Sequence, residues 1–247
     1  MFEKIKHKDY DIYIFNELKS TNDYAKTLKE HEAVIWAKSQ VNGKGRLGRT
    51  WNNHPGKALT FSIKITPDIK TYNAPMITLV AALAVRKAIG REACIKWPND
   101  IIIRNKKVCG ILTEMCTDSD GNTSIIIGIG INANIDEFDE DIKAKATSIK
   151  LEYGEVDICD LLCKVLDSYR EYYETFAQTE DMSLLTNEYN KYLINRHKTV
   201  RVIGKEEMIG ECEGINNTGE LIVRKNDGNI CYVRSGEVSV RGLDGYV

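Results

Sequence analysis

Residues 43–51 read Gly-Lys-Gly-Arg-Leu-Gly-Arg-Thr-Trp, and this segment, the glycine loop, separates two runs of β-forming residues. Its glycines permit positive φ and close approach of the backbone to a ligand, while Lys44, Arg46 and Arg49 can neutralise phosphate or carboxylate oxygens. The segment therefore predicts a loop that binds an anion. Because Gly and cations are also common in surface turns, the composition fits a solvated basic turn between two strands equally well.

The 247-residue chain carries 34 Lys and Arg against 36 Asp and Glu, a formal net charge of −2. Because the two signs nearly balance, no general field for polyanions exists, and a nucleic-acid surface would have to be local. No apolar run reaches the length of a membrane span, and the N-terminal Met-Phe-Glu-Lys-Ile-Lys lacks the apolar core of a signal peptide. We therefore expect a cytoplasmic globular protein with one large domain or two unequal domains.

The cysteine and histidine pattern favours neither a metal site nor a catalytic triad. The seven cysteines are odd in number and mostly lie inside apolar runs, as small core residues do. Cys159 and Cys163 lie one helical turn apart, but no second Cys or His pair stands near them to complete a zinc site. The four histidines are scattered along the chain.

Before residue 193, β-rich runs alternate with helical patterns, which indicates a mixed α/β order. Strands are predicted at 34–38, 58–66, 101–103, 108–115 and 123–131. The sequence Ser-Thr-Asn-Asp at 20–23 predicts a helix N-terminus. Apolar spacing predicts further helices at 74–89, with a stop at Gly90, and at 158–176.

After Arg196 the pattern changes to short strands separated by turns that contain Gly or Asn. These strands are predicted at 199–203, 208–215, 220–225, 229–234 and 238–241. Five short strands favour a small barrel, and the joint at 190–197 lacks the composition of a flexible linker. We therefore predict two packed domains, 1–193 and 196–247. About ten residues precede the first strand-like run, near Asp11, which leaves no room for a helix-turn-helix module.

Two further clusters place charged residues at strand ends. Residues 96–100 read Lys-Trp-Pro-Asn-Asp and set a carboxylate ahead of a predicted strand, where it can hold magnesium. The same residues fit a type I turn in which Asn99 and Asp100 cap backbone donors. Lys107 stands at the mouth of the next strand, three residues before Gly110, and a lysine there is commonly just solvated. On their own, both clusters are equally compatible with a functional site and with an ordinary surface turn.

Glycines alternate with isoleucines at 128–132, Gly-Ile-Gly-Ile-Asn, at the end of an apolar strand. Small residues there leave space for a flat ligand or for another backbone. The motif is not a dinucleotide fingerprint, because Ala133 takes the last glycine position, and no Walker A pattern is present. The hydroxyls and amide of Ser20, Thr21 and Asn22 can bind a polar ligand, although helix capping alone explains them.

Taken in order, these segments resemble the biotin protein ligase family, also called the holocarboxylase synthetase family. The resemblance rests on Ser20-Thr21-Asn22, Gln40, the glycine loop with Trp51, Lys-Trp-Pro-Asn-Asp at 96–100, Lys107 with Gly110, Gly-Ile-Gly-Ile-Asn at 128–132, and Ser-Gly-Glu-Val-Ser-Val-Arg at 235–241. It covers essentially the whole chain. It implies an α+β fold in which a class II synthetase-like catalytic domain with a mixed sheet is followed by a small SH3-like β-barrel.

The resemblance implies a two-step reaction. In this family ATP and biotin first give biotinyl-5′-AMP and pyrophosphate, and biotin then passes to one lysine of a biotin carboxyl carrier protein or domain. ATP and Mg²⁺ are the implied cofactors, with the metal held mainly by the ATP phosphates. No DNA or membrane partner is expected, and a homodimer stays open. Many members carry an N-terminal winged helix-turn-helix, which we do not find, so a monofunctional ligase is expected.

The resemblance also assigns site residues. It implies biotin contacts from Ser20, Thr21, Asn22, Gln40, Gly43, Lys44, Gly45, Arg46, Trp51, Lys107 and Gly110. It implies nucleotide contacts from Arg46, Arg49, Trp51, Asn99, Lys107, Asn132 and Arg241. In the implied mechanism Lys107 bonds the biotin carboxyl and α-phosphate oxygens, while Arg46 and Arg49 neutralise phosphates. Asp100 would orient or deprotonate the acceptor lysine, which completes the four implied catalytic residues.

One position departs from the family pattern. The family loop reads Gly-Arg-Gly-Arg-x-Gly-Arg, whereas this chain has Lys44 at the first arginine. The chain thereby loses a bidentate fork while it keeps the charge. We therefore expect altered retention of the adenylate.

Two other interpretations stay open at this point. A lipoate or octanoate protein ligase shares the fold and the acyl-adenylate chemistry, but its lysine motif differs and it lacks the arginine-rich loop. A nucleic-acid or peptide-binding module would use the barrel as a reader and the glycine loop as a phosphate clamp. The near-neutral charge and the absence of a basic or aromatic stripe along the barrel argue against that module.

Overall fold

The computed structural model describes residues 2–52, 54–67, 71–90, 92–117, 121–236 and 238–243, which form two β-sheets with helices. The larger sheet contains β1 (Phe2–His7), β2 (Tyr10–Phe15), β3 (Ala33–Ala37), β4 (Ala58–Ile65), β5 (Cys94–Lys96), β6 (Asp100–Ile103), β7 (Lys106–Thr117) and β8 (Thr123–Asn132). Their lateral order is β1-β2-β3-β4-β8-β7-β6-β5. The β2–β3 pair is parallel and the other neighbouring pairs are antiparallel, so the predicted mixed sheet is confirmed.

Two strands of this sheet have no sequence prediction. β1 reads Phe-Glu-Lys-Ile-Lys-His and is mostly exposed at the edge of the sheet, so it carries no apolar run. β5 has three residues, too few for a periodic pattern. The predicted strands in the interior of the sheet are present because β-rich apolar runs are what a sheet buried on both faces requires.

The helices cover both faces of the larger sheet. They are α1 (Thr21–Thr27), α2 (Ala74–Ile89), α3 (Ile149–Tyr153), α4 (Ile158–Ala177) and α5 (Thr186–Tyr192). On β2, Ile12 and Ile14 join the core cluster of α2 and α4, whereas Tyr13 and Phe15 join the cluster around Ala25 of α1. Because successive strand side chains point to opposite faces, α1 covers one face and α2 with α4 covers the other.

Local signals set the helix ends. Ser20 caps α1, since its Oγ accepts a hydrogen bond from the Asp23 N–H at 3.3 Å. α2 spans the predicted 74–89 and ends at Gly90, whose φ of 66° suits glycine and whose N–H donates to Arg86 O. α4 extends one residue beyond its predicted end.

The second sheet is antiparallel throughout its described strands. It contains β9 (Thr199–Ile203), β10 (Glu207–Ile215), β11 (Leu221–Lys225), β12 (Ile230–Val233) and β13 (Ser239–Gly242) in the order β12-β11-β10-β9-β13. All five predicted strands are present, with ends that agree within one residue. Glu237, part of the 235–241 motif, lies outside the described residues. The predicted α+β fold is therefore confirmed as a large mixed sheet plus a second, antiparallel sheet.

The two sheets are packed together. Trp97 Nε1 donates to Gly219 O at 3.1 Å, and the Asn190 side-chain amide exchanges two hydrogen bonds with the Ile215 backbone. Buried residues of β9, β10 and β11 belong to the same core cluster as α2. Within the described ranges, no helix combines the length and apolar character that a bilayer crossing requires.

Candidate active site

The glycine loop folds back on itself between β3 and β4. Lys44 and Thr50 form an antiparallel bridge, and the Gly45 N–H donates to Arg49 O at 2.7 Å. A tight turn at Arg46–Gly48, in which Leu47 and Gly48 both have positive φ, closes the tip. The loop is thus a structured hairpin, and its side chains are presented to the two cavities described below.

Gly43 and Gly48 meet two different demands within the loop. Gly43 is buried, and a Cβ there would lie 2.8 Å from Trp51 O. Gly48 has a φ of 71°, which L side chains rarely adopt. The loop therefore needs glycine at 43 for close packing and at 48 for its left-handed backbone.

A pocket lies beneath the glycine loop, beside α1 and the glycines of β7 and β8. Ten of the eleven predicted biotin-site residues line it, namely Ser20, Thr21, Asn22, Gln40, Lys44, Gly45, Arg46, Trp51, Lys107 and Gly110. Gly43 lies just behind the wall, where a Cβ would come within 3.6 Å of Gln40 Nε2. The fold therefore brings these residues together from segments far apart in the chain.

Buried neutral groups form the floor of this pocket. Gln40 Oε1 accepts hydrogen bonds from the Thr21 N–H at 2.7 Å and from the Thr21 hydroxyl at 3.1 Å. Ser62 is fully buried on β4, and its Oγ donates to Asn22 Oδ1 at 2.6 Å. Hydroxyls and amides arranged in this way suit an uncharged polar group of a ligand.

Glu114 of β7 holds Asn22 from the other side. Asn22 Nδ2 donates to Glu114 Oε2 at 2.7 Å and to Leu112 O at 3.3 Å. A Cβ at Gly128 would lie only 2.3 Å from Asn22 Oδ1, so glycine is required opposite this side chain. The Asn22 amide is therefore fixed in orientation by its neighbours.

Ser62 and Glu114 do not line the pocket but hold its lining residue Asn22, and sequence analysis missed both. β4 reads Ala-Leu-Thr-Phe-Ser-Ile-Lys-Ile, so polar residues alternate with apolar ones. Thr60 and Ser62 are the register partners of Gly130 and Gly128 on β8. This polar alternation opposite glycines was the available signal for Ser62, whereas Glu114 has none of comparable strength.

The Trp51 indole rests on the glycines of β7 and β8. A Cβ at Gly130 would lie 2.5 Å from Trp51 Cε2, and one at Gly110 would lie 2.9 Å from both Trp51 Cζ3 and Lys107 Nζ. The space that alternating glycines were expected to leave for a flat ligand is thus shared with Trp51 itself. Trp51 Nε1 is buried and has no hydrogen-bond partner among the described residues.

Lys107 is held by its side chain and by its backbone. Its Nζ lies 2.7 Å from Asp100 Oδ1 and 5.5 Å from the centre of the Trp51 ring. Its N–H donates to Lys145 O at 2.7 Å, and its carbonyl accepts from the Thr147 N–H at 2.9 Å. Lys107 is therefore fixed in place rather than merely solvated at a strand start.

Arg46 joins the glycine loop to the second sheet. Its guanidinium donates to Asn99 Oδ1 at 3.0 Å and to the carbonyl oxygens of Ser235 and Gly236. Burial lowers the pKa of Arg46, whereas the charge of Asp100 raises it. The amide of Asn99 thus reaches across to the loop, which goes beyond the local turn-capping role considered for residues 96–100.

A second cavity lies between the glycine loop, residues 96–100 and β13, and we call it the cation cavity. Its charged lining residues are Arg46, Arg49, Lys96, Asp100, Lys107 and Arg241. Among the described residues that line it, five basic side chains face one carboxylate, a balance that suits a polyphosphate. Six of the seven predicted nucleotide residues line it, namely Arg46, Arg49, Trp51, Asn99, Lys107 and Arg241.

Lys96 is a buried cation that was not among the predicted site residues. It is 4% exposed and is the register partner of Asp100 across the β5–β6 pair. Burial lowers its pKa to about 7; Asp100 raises it, and Arg241 lowers it further. The protonation of Lys96 near neutral pH therefore depends on how much negative charge lies beside it. Lys96 is the first residue of the Lys-Trp-Pro-Asn-Asp motif, so the motif is recognisable in the sequence, but it assigns no ligand contact to Lys96.

Asn132, the remaining predicted nucleotide residue, lies on the other side of Trp51. Its Nδ2 donates to Thr147 O at 3.0 Å, and it lines a third cavity together with His54 and Phe138. These two rings meet edge to face with centroids 5.9 Å apart, and burial lowers the pKa of His54. An aromatic pair beside an amide suits a flat heterocycle such as a nucleobase. Neither ring was predicted as a site residue.

Comparison with known proteins agrees with this geometry. The family described as the biotin/lipoate A/B protein ligase family matches residues 14–132. The chain is 31% identical over 231 residues to the bifunctional ligase/repressor BirA of Bacillus spizizenii, covering 90% of this chain and 71% of that protein. The chain belongs to the biotin protein ligase family. Biotin–[acetyl-CoA-carboxylase] ligase of Paracoccus denitrificans is 29% identical over 209 residues, or 78% of this chain and 84% of that one.

A solved biotin protein ligase shows how far the likeness in fold extends. The enzyme from Aquifex aeolicus, in complex with biotin and ATP, is similar at a TM-score of 0.86 and 29% identity. The match covers 94% of this chain and 98% of that one. The biotin protein ligase fold therefore accounts for both sheets of the structure.

Proposed function

We propose that this chain is an ATP-dependent ligase that forms biotinyl-5′-AMP and then transfers biotin to one lysine of a biotin carboxyl carrier protein or domain. The observation that carries the proposal is the meeting of a neutral polar pocket with a cavity rich in cations. The two share Arg46, Asn99 and Lys107 in their walls. The Aquifex aeolicus relative, solved with biotin and ATP, supports the same pair of ligands.

The neutral pocket is proposed to take the ureido head of biotin. Thr21, Asn22 and Gln40 offer hydroxyl and amide groups, and Ser62 holds two of them in place. A polar head buried without partners would lose roughly 1–3 kcal/mol per group, so these contacts favour biotin over other acyl chains. This distinguishes the proposal from a lipoate ligase, whose substrate has no ureido group.

The first chemical step joins two anions, and the cations are proposed to make that approach feasible. The biotin carboxylate attacks the α-phosphorus of ATP, and the bond to the pyrophosphate oxygen breaks. Repulsion between the two anions in a desolvated site is on the order of several kcal/mol. Lys107 would bond the carboxylate and α-phosphate oxygens, while Arg46 and Arg49 would neutralise the phosphates.

Mg²⁺ would supply further charge neutralisation on the departing pyrophosphate. Among the described residues no three His, Cys, Asp or Glu side chains come together as a protein-built metal site requires. Asp100, the carboxylate among the described residues of the cation cavity, is paired with Lys107 at 2.7 Å. This residue set fits a metal held mainly by ATP phosphate oxygens.

In the second step an acceptor lysine attacks the acyl carbon of the mixed anhydride, and AMP leaves. The amine must lose a proton to attack, and Asp100 is the carboxylate next to Lys107, where the carbonyl would lie. We propose that Asp100 orients the acceptor amine or takes its proton. Its ion pair with Lys107 would then link the two half-reactions.

The finer architecture and setting belong to the same proposal. We assign residues 1–193 to a class II synthetase-like catalytic domain and 196–247 to an SH3-like barrel, with β9 to β13 as its strands. We also propose the cytoplasm as location, where the seven free cysteines stay reduced. A homodimer is compatible with this assignment, and sedimentation of the protein with and without biotin and ATP would test it.

A pyrophosphate-release assay with biotin, with lipoate or with no acid tests the reaction. We expect ATP-dependent pyrophosphate release with biotin but not with lipoate or without an acid, followed by labelling of a biotin carboxyl carrier domain. Release with lipoate instead would favour the lipoate ligase, and no release with either acid would favour a binding module. Lys107→Ala serves as the matched inactive variant.

A further inference from the structure

A row of ion pairs ties the glycine loop to the floor of the pocket. Lys44 Nζ lies 2.7 Å from Asp23 Oδ1, and the same oxygen lies 3.7 Å from Lys26 Nζ. Lys26 Nζ lies 2.8 Å from Glu114 Oε1, and the other oxygen of Glu114 accepts from Asn22 Nδ2 at 2.7 Å. We call Lys44, Asp23, Lys26 and Glu114 the α1 ion-pair row.

Three separate elements supply this row. Asp23 and Lys26 lie three residues apart on α1 and so share one side of the helix. Glu114 stands on β7 at an even spacing from Gly110, which puts it on the pocket face of the sheet. Lys44 comes from the glycine loop. The row therefore links α1 to the loop on one side and to the sheet on the other.

Lys44 has a different setting from the arginines of the same loop. Arg46 and Arg49 both line the cation cavity, and Arg46 also reaches the pocket, whereas Lys44 lines the pocket alone and donates to Asp23. The hydrogen bond that Lys44 Nζ donates to the Asp23 carboxylate is the main cause of a raised pKa for Lys44. A lysine meets a single carboxylate oxygen well, while the guanidinium fork is matched to two acceptor atoms. Asp23 Oδ1, shared with Lys26, is such a single oxygen.

We propose that Lys44 is a positioning residue whose ion pair with Asp23 fastens the glycine loop to α1 and slows the escape of the bound acyl-adenylate. Lys26 contacts both Asp23 and Glu114, and Glu114 in turn bonds to Asn22. The α1 ion-pair row thus connects the glycine loop to the floor of the pocket. The retention part of this inference rests on the proposed function. The loop-fastening part does not.

Exposure sets the expected size of the effect. The Lys44 and Asp23 side chains are 39% and 44% exposed, so their pair belongs to the weak class of solvent-screened ion pairs. Loss of such a pair is expected to speed loop opening by about two- to fivefold. The effect should shrink between about 0.05 and about 0.5 M KCl, because added salt screens exposed charges.

Release of preformed biotinyl-AMP in a chase experiment gives the first test. We expect Lys44→Gln and Asp23→Asn each to release it about two- to fivefold faster. The double variant should match the single ones, because both remove the same contact. Lys44→Arg keeps the charge, so its rate of biotinyl-AMP release should be closer to that of the original chain. Lys4→Gln removes the similarly exposed Lys4–Asp11 pair of the β1–β2 hairpin and should leave release unchanged.

Three outcomes of the chase would overturn the proposal. If Asp23→Asn releases the adenylate at the original rate while Lys44→Gln is fast, Lys44 acts on the ligand directly. If the effects of Lys44→Gln and Asp23→Asn multiply in the double variant, the two residues act independently. A difference that persists unchanged at high salt would likewise speak against a screened ion pair.

Tryptic cleavage of the ligand-free protein after Arg49 gives a second test, independent of any enzymatic activity. Arg49 is exposed, and Asp23→Asn leaves every tryptic site of the loop intact. We expect cleavage about two- to fivefold faster in Asp23→Asn than in Lys4→Gln or the original chain. Equal cleavage rates would refute the fastening role. A chain that forms no adenylate but shows faster cleavage would refute the proposed function while keeping the fastening role.

Discussion

Lys96→Met is expected to abolish a proton uptake that accompanies ATP binding. Burial lowers the pKa of Lys96 to about 7, with Asp100 raising it and Arg241, Lys107 and Arg49 lowering it. About half of the Lys96 amines therefore carry the extra proton at neutral pH. A triphosphate in the cation cavity would place negative charge beside Lys96, raise its pKa and draw a proton from the buffer.

The starting charge of Lys96 sets the magnitude of this uptake. If the bound triphosphate keeps the ammonium fully charged, uptake is about half a proton at pH 7 and about 0.9 at pH 8. Calorimetric titration of ATP in two buffers of different ionisation enthalpy measures it directly. Methionine keeps the length of the stem and removes the charge, so the packing around position 96 is retained.

The difference between the two proteins isolates Lys96, because protons released or taken up by ATP itself contribute equally to both titrations. Lys4→Met changes an exposed lysine of β1 and should match the original chain. Equal uptake by the original chain and Lys96→Met near pH 8 would refute this reasoning. A difference that grows as the pH falls would refute it too, since Lys96 is already charged there.

Lys107→Ala is expected to slow pyrophosphate release at least about a hundredfold, as loss of one electrostatic stabiliser does, and normal adenylation would rule out its role. Arg46→Gly should leave adenylation measurable and let biotinyl-AMP escape to label a bystander protein; unlabelled bystander would contradict this. Gly128→Ala should raise KM for biotin about tenfold with little change for ATP, because its Cβ meets Asn22 Oδ1. Lys96→Met should also stabilise the fold by about 1–4 kcal/mol at pH 7 in denaturant titrations. Because the folded pKa of about 7 lies below the ordinary lysine pKa of 10.5, this gain in stability should fade as pH rises toward 10.5; a constant gain would contradict it.

The features that could be predicted from sequence are those with local signals. Apolar spacing followed by Gly90 gave both ends of α2, and Gly- and Asn-bearing turns gave the strands of the second sheet. Short motifs with unusual residue types likewise identified most of the residues that line the pocket and the cation cavity.

Contacts between motifs could not be predicted in the same way. Arg46 is held by the carbonyls of Ser235 and Gly236, and a backbone carbonyl has no signature in the sequence. The Lys107–Asp100 ion pair depends on the irregular register between β6 and β7, which no local pattern encodes. The role of Glu114 depends on α1 packing against the sheet, which is a property of the tertiary structure.

The central pairing of β4 with β8 links formation of the pocket to folding of the whole sheet. β4 ends at Ile65 and β8 begins at Thr123, so their pairing closes a long loop of chain. Such non-local contacts form slowly in folding, because the entropy of loop closure is lost before the strands pair. Ser62 and its register partner Gly128 meet only when this closure is complete. A ligand of the pocket floor therefore binds the folded state alone, and its concentration should raise the melting temperature of the entire sheet.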